Sequence, residues 1–209
     1  MMHTLKRHVE TPAAFVDNPP EDHASNQEGK MNEKIRNALN GQINAELYSS
    51  YLYLSMASYF KRLSFDGFAR WMEVQALEEL THAMKFFNFV NERGGKVDLK
   101  AIEGPQTSWD SPLAAFETVY NHEVKVTGLI YDLVNIATEE KDHATSNFLQ
   151  WFITEQVEEE TSADSIVQKL KLIGSEGASI YMLDQELAQR VFTPLPGTTI
   201  LAGAGKGGA

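Results

Sequence analysis

Glu79 and His82 stand three residues apart in the stretch Glu78-Glu79-Leu80-Thr81-His82, inside a long helical pattern from Phe65 to Asn91. At that spacing two side chains share one face of a helix and reach a common point. A carboxylate and an imidazole together form an oxygen/nitrogen donor set suited to iron, manganese or zinc. Alone the pair is a weak signal, since helices are rich in Glu and surface His is common. Its weight depends on what other helices bring to the same place.

Three other helical patterns each carry polar groups on a face that reads as buried. From Asn32 to about Arg62, the residues Ile35, Leu39, Glu46, Tyr53, Ala57 and Phe60 fall within about 40° of one line. Glu46 is the single acid on that line, near its middle. The second helix, which holds the opening pair, aligns Phe68, Met72, Gln75, Glu79, His82, Phe86 and Val90, and stops at Gly94-Gly95. The third begins with a Ser111 cap and Pro112 in the first turn and runs to about Glu139. Its inward residues are Phe116, Val119, Glu123, Ile130, Val134 and Ala137, with Glu123 as the lone acid. A tight link at Glu140-Lys141-Asp142 opens the fourth, which runs to about Ile173 and aligns Leu149, Phe152, Gln156, Glu159, Ala163, Val167 and Leu170. After the break at Gly174-Ser175-Glu176-Gly177, a shorter fifth helix is predicted from Ala178 to about Val191, ahead of Pro194 and Pro196.

Because the polar groups all lie near mid-helix, they meet in one layer whichever way each helix runs. A buried carboxylate costs several kcal/mol unless it is paired or binds a metal. Several in one layer also repel each other, and no Lys or Arg falls on these lines to neutralise them. Two divalent cations would remove the penalty, so the pattern points to a buried di-metal site.

The elements must then form a bundle. Gly94 to Ser111 reads as an extended connection of eighteen residues, which spans up to roughly 60 Å. A helix of the predicted length is roughly 42 Å long. The connection can therefore cross the whole bundle and leave the third helix parallel to the second. The expected fold class is all-α: a four-helix bundle with a long crossover between helices two and three, plus a short fifth helix. Residues 1–30, with Pro12, Pro19 and Pro20, read as a disordered tail, 31–193 as one domain and 194–209 as a flexible tail.

Composition narrows the classes further. The chain has 209 residues, 43% of them hydrophobic, which suffices for one good core. It has no cysteine, so disulfides, thiolate metal sites and thiol nucleophiles are excluded. A net charge of −11 argues against nucleic acid as a partner, which calls for a basic face. No apolar run reaches the ~18 residues of a membrane span, and no apolar signal core precedes the domain. A cytoplasmic protein is expected.

Four motifs together carry a family likeness: Asn44-Ala-Glu-Leu-Tyr-Ser-Ser-Tyr-Leu-Tyr53, Glu78-Glu-Leu-Thr-His82, Phe148-Leu-Gln-Trp-Phe-Ile-Thr-Glu-Gln-Val-Glu-Glu-Glu160, and Tyr181-Met-Leu-Asp-Gln-Glu-Leu-Ala188. Over about Met31 to Phe192 the chain resembles the bacterial non-haem ferritins. Ferritin-like di-iron proteins are themselves the reference case for a Glu-x-x-His on each of two facing helices. This chain departs from that scheme. It reads Glu155-Gln156-Val157-Glu158, so the second histidine, present in bacterioferritins and rubrerythrin-type peroxidases, is missing. Leu80 stands where bacterioferritins carry a haem-ligating Met, which argues against haem.

The resemblance implies an iron-storage ferroxidase that oxidises Fe(II) with O2 and stores ferric mineral inside a homo-oligomeric shell of twenty-four subunits. The fifth helix would line its four-fold contacts. It implies two iron ions per subunit, the first held by Glu46, Glu79 and His82 with Glu79 bridging. The second would be held by Glu123, with Gln156 beside it, and Tyr53 would supply an electron. A third iron would take Glu78, Glu155, Glu158 and Glu159. Of these, the helical wheel turns Glu159 inward, leaves Glu155 flanking and points Glu158 away, where a solvated acid is the alternative. H2O2 is the alternative oxidant. Two other readings stay open, a rubrerythrin-type peroxidase and a helical scaffold protein. His3, His8, His23, His122 and His143 read as non-ligands, and Trp151 as core packing.

Overall fold

The computed structural model describes residues 31–174 and 176–194. The expected tail 1–30, with His3, His8 and His23, lies outside the described residues, as does 195–209. Five helices and no strand are found among the described residues: α1 (Glu33–Arg62), α2 (Asp66–Glu92), α3 (Pro112–Glu139), α4 (His143–Ile173) and α5 (Gly177–Leu187). None of them is long and apolar enough to cross a membrane.

Local chemistry sets most of the helix ends. The Asn32 carboxamide oxygen accepts from the Lys34 and Ile35 amides, with Glu33 in the first turn of α1. Ser111 Oγ accepts from the Ala114 amide at 3.1 Å, with Pro112 opening α3. Asp142 caps α4 through the Thr145 amide at 3.0 Å and pairs with Arg93 at the far end of α2. Phe65 offers α2 no side-chain cap. Asp184 of α5 fills the role instead, accepting from the Phe68 amide at 3.0 Å. That docking is close: a Cβ on Gly67 would lie 1.6 Å from the Asp184 carbonyl oxygen, so only glycine fits there. Gly94, at φ 67°, follows α2 in the left-handed region, as C-terminal glycines commonly do.

The connection between α2 and α3 runs extended along α1. Asn40 donates to the Lys96 carbonyl and accepts from the Asp98 amide, Asn44 donates to the Ala101 carbonyl, and Ser55 donates to the Gln106 carbonyl. Arg62 donates to the Thr107 carbonyl, and Trp109 packs edge-on against Tyr59. Residue numbers rise together on both segments, so the connection retraces the bundle in the direction of α1. Phe116 then meets Phe60 at one end, and Lys34 pairs with Glu139 at the other. α3 is therefore antiparallel to α1 and parallel to α2, as the crossover requires.

The interior has two apolar halves with a polar layer between them. One is built around Tyr53, Met56, Phe60, Phe68, Met72 and Phe116, the other around Ile35, Leu39, Phe86, Ile130, Leu149 and Phe152. Between them in sequence on each helix lie Glu46, Glu79 with His82, Glu123, and Gln156 with Glu159, all buried. The inward residues expected from periodicity are buried except Val134, which is half-buried while Leu133 takes the core position. α5 ends at Leu187 rather than near Val191. A tight turn, in which Arg190 N donates to the Leu187 carbonyl at 3.2 Å, diverts the chain and returns the Arg190 side chain to α2.

Candidate metal centre

Each long helix delivers its polar groups at the same height. Donor atoms of Glu46, Glu79 and His82 lie within 4.8 Å of one another, and so do those of His82, Glu155 and Glu159. His82 joins the two groups: Nδ1 is 3.6 Å from Glu79 Oε2 and Nε2 is 3.7 Å from Glu155 Oε1. Glu123, from α3, completes the layer and accepts a hydrogen bond from the buried Tyr53 hydroxyl. Gln156 turns its amide nitrogen to the Glu123 carbonyl at 3.2 Å and to Thr127 Oγ1 at 3.1 Å.

Glutamine amides orient the carboxylates. Gln42 donates to Glu46 Oε1 at 2.9 Å, and Gln75 donates both to Glu79 Oε1 at 3.0 Å and to Glu159 Oε2 at 2.7 Å. Gln75 thereby ties α2 to α4 through one buried nitrogen. The other oxygen of Glu46 is buried with no hydrogen-bond partner. An orphaned carboxylate oxygen in the core calls for a proton or a cation. Among the described residues, neither Lys nor Arg pairs with Glu46, Glu79, Glu123 or Glu159.

The electrostatics follow from that crowding. Burial, and next the charge of Glu79, push Glu46 up to about 8. The same two causes push Glu159 up to about 7. Glu123 is driven well above the carboxylate range by burial and then by the charges of Glu79 and Glu159. Burial also works against an ionised Glu79, but the facing His82 ring and its charge, with the Gln75 amide, hold it below its ordinary value. Burial would lower His82, yet the carboxylates of Glu155 and Glu79 facing its ring, and the charges of Glu79 and Glu46, raise it well above the ordinary imidazole value. Burial and the adjacent Glu123 push the Tyr53 phenol up as well. Without a metal the layer thus favours one ion pair, His82 with Glu79, beside carboxylates biased toward holding protons. Replacing those protons with divalent cations satisfies the orphaned oxygen, and the donors are oxygen and nitrogen with no sulfur, a hard set that fits iron.

Several residues take other places. Glu158 is exposed on α4. Glu78 is outside both donor groups and is paired with Arg190. His122 is half-buried with Nε2 2.8 Å from Ser49 Oγ, and it belongs to neither group. His143 is exposed, and Trp151 lies edge-on to the His82 ring with Lys85 Nζ 4.0 Å above it. Reading the sequence did not reach Gln42, Thr127 or Arg190, and placed Gln75 on the inward line without a role. One signal was present: Gln42 and Gln75 each precede their glutamate by four residues, the spacing at which an amide reaches a carboxylate.

Comparison with known proteins identifies the family. The family model for the ferritin-like domain matches residues 36–173. The bacterial non-heme ferritin of Bacteroides fragilis is 47% identical over 160 residues, covering 77% of this chain and 99% of that protein. That of Staphylococcus aureus is 36% identical over 162 residues, covering 78% and 98%. Among solved structures, an engineered closed form of the Archaeoglobus fulgidus ferritin is 61% identical with a TM-score of 0.78, covering 78% of this chain and all of that one. The open-pore ferritin from the same archaeon is 60% identical with a TM-score of 0.77, covering 77% and 98%. With the family model matching most of the bundle and relatives of this identity covered over nearly their whole length, the chain belongs to the ferritin family, in the company of the bacterial non-haem ferritins.

Proposed function

We propose that this protein is an iron-storage ferroxidase, taking Fe(II) as substrate, oxidising it with O2 and storing ferric mineral inside a twenty-four-subunit shell. The observation that carries the reading is the buried layer itself: four carboxylates and one imidazole, no Lys or Arg among them, and one Glu46 oxygen left without a partner. Relatives named bacterial non-heme ferritin support it.

In this reading Glu46, Glu79 and His82 hold one iron ion, and Glu123 holds a second with Gln156 beside it. Glu79 would bridge them, as the family likeness implies; Gln75 donates to one of its oxygens and His82 faces the other. Gln42 and Gln75 keep the carboxylates in place before metal arrives, which lowers the cost of organising the site. Tyr53, hydrogen-bonded to Glu123, is placed to supply an electron. Glu155 and Glu159, sharing His82, offer a third position. Carboxylates favour the higher charge of Fe(III), which drives the oxidation forward. The test is to load the protein with Fe(II) without oxygen and then admit air. Rapid Fe(III) formation is expected, abolished in a Glu79→Ala, His82→Ala double variant that stays folded and the same size on size-exclusion chromatography. Unchanged kinetics in that variant would refute the assignment.

A further inference from the structure

Arg190 lies just past α5, yet its side chain reaches α2 beside the metal layer. Its guanidinium sits 4.3 Å above the Trp71 ring, donates to the Trp71 carbonyl at 3.4 Å and forms an ion pair with Glu78. Its own carbonyl accepts from Arg70 Nε at 3.3 Å. Trp71 and Glu78 are seven residues apart, two turns along one face, so the guanidinium bridges them. Side-chain exposures of 21% for Arg190 and 24% for Glu78 place the pair well out of bulk water. At that depth the pair is not the weak, screened contact of an open surface, and separating it without a replacement partner is costly.

Glu78 neighbours Glu79 in sequence, lies one turn before His82, and is near enough for the charges of His82 and Glu155 to act on it. Three donors leave that group open to a further ligand, and Glu78 lies within electrostatic reach of it, tied to Arg190. We propose that Arg190 is a positioning residue: it holds Glu78 away from the His82/Glu155/Glu159 group and so sets how readily that group takes a third metal ion. A cation there recruits Glu78 only by displacing the guanidinium, and the guanidinium's charge opposes the cation directly. Competition for one carboxylate makes the effect reciprocal. A third ion loosens Arg190 from Trp71, and with it the segment leaving α5. This inference rests on the metal-binding function proposed above.

The test uses Zn(II), which is redox-silent, titrated into the metal-free full-length protein and into Arg190→Gln, with calorimetry and tryptophan emission as readouts. Arg190→Gln should leave the first two ions per chain unchanged and tighten the third by about tenfold. In the natural protein the third ion alone should shift the emission of Trp71, and the shift should vanish in Arg190→Gln. Arg190→Lys, which keeps the charge, should return the third step most of the way to its weak value. In a Glu78→Gln background, the substitution at Arg190 should no longer change the third step. An unchanged or weaker third step in Arg190→Gln, with the first two intact, would overturn the role of Arg190 alone. Failure of the natural protein to bind the first two ions would overturn the metal-binding function and this inference together.

Discussion

Metal loading should release protons, and Glu46 sets the least that should leave. Glu46, pushed up to about 8, is mostly protonated at pH 7. Glu123 and His82 are both raised well above their ordinary values, which biases each toward its protonated form. Glu79 is held ionised by His82 and has no proton to give. Two divalent ions on Glu46, Glu79, His82 and Glu123 therefore displace protons, close to one per chain from Glu46 alone at pH 7, because ligands must be deprotonated to bind. The sign follows: apparent affinity rises with pH, and the release falls as pH climbs past the raised values and the protons leave beforehand. Calorimetric Zn(II) titration in two buffers of different ionisation enthalpy counts the protons directly. Glu46→Gln should release about one fewer. Release below one proton per chain, or a release independent of pH between 6 and 9, would refute the picture of a layer kept neutral by shared protons.

Other expectations follow from the same geometry. Glu46 has a folded value above its unfolded one, so its contribution to the stability of the metal-free protein is complete below about pH 4.5 and is lost as pH rises through 8. Thermal melts should show Glu46→Gln more stable than the natural metal-free protein by a few kcal/mol at pH 8.5 and close to it at pH 5. Gly67→Ala would set a methyl 1.6 Å from the Asp184 carbonyl and push α5 off α2, costing about 1–3 kcal/mol or more in denaturant unfolding. Gln75→Leu removes the amide shared by Glu79 and Glu159 and should cost about 1–3 kcal/mol in the metal-free protein, measured the same way.

Much of this was legible in the chain because helices impose one strong period. Glu46 and Glu123 stood out as lone acids in apolar stripes, and their mid-helix positions alone were enough to gather them in one layer. The crossover was legible from length, since a connection that long has to span the bundle. What stayed hidden depends on contacts that no period encodes. The pairing of Arg190 with Glu78 joins residues 112 apart, and that of Tyr53 with Glu123 joins residues 70 apart. Asp184 caps α2 from another helix, so neither segment reveals it alone. The early end of α5 has the same origin, because the turn after Leu187 is held by what Arg190 finds on α2. Glu78 shows the limit most plainly: a neighbour of Glu79 in sequence, it is claimed by a residue far along the chain.

The most direct test is the stoichiometry of the first oxidation. Metal-free protein would receive stepwise additions of Fe(II) without oxygen, each sample then being exposed to air while Fe(III) absorbance is followed. The fast phase should grow with added iron and break at two ions per chain, and it should be absent from the Glu79→Ala, His82→Ala variant. A fast phase that grows without a break, or one of equal size in that variant, would contradict oxidation at the buried carboxylate layer.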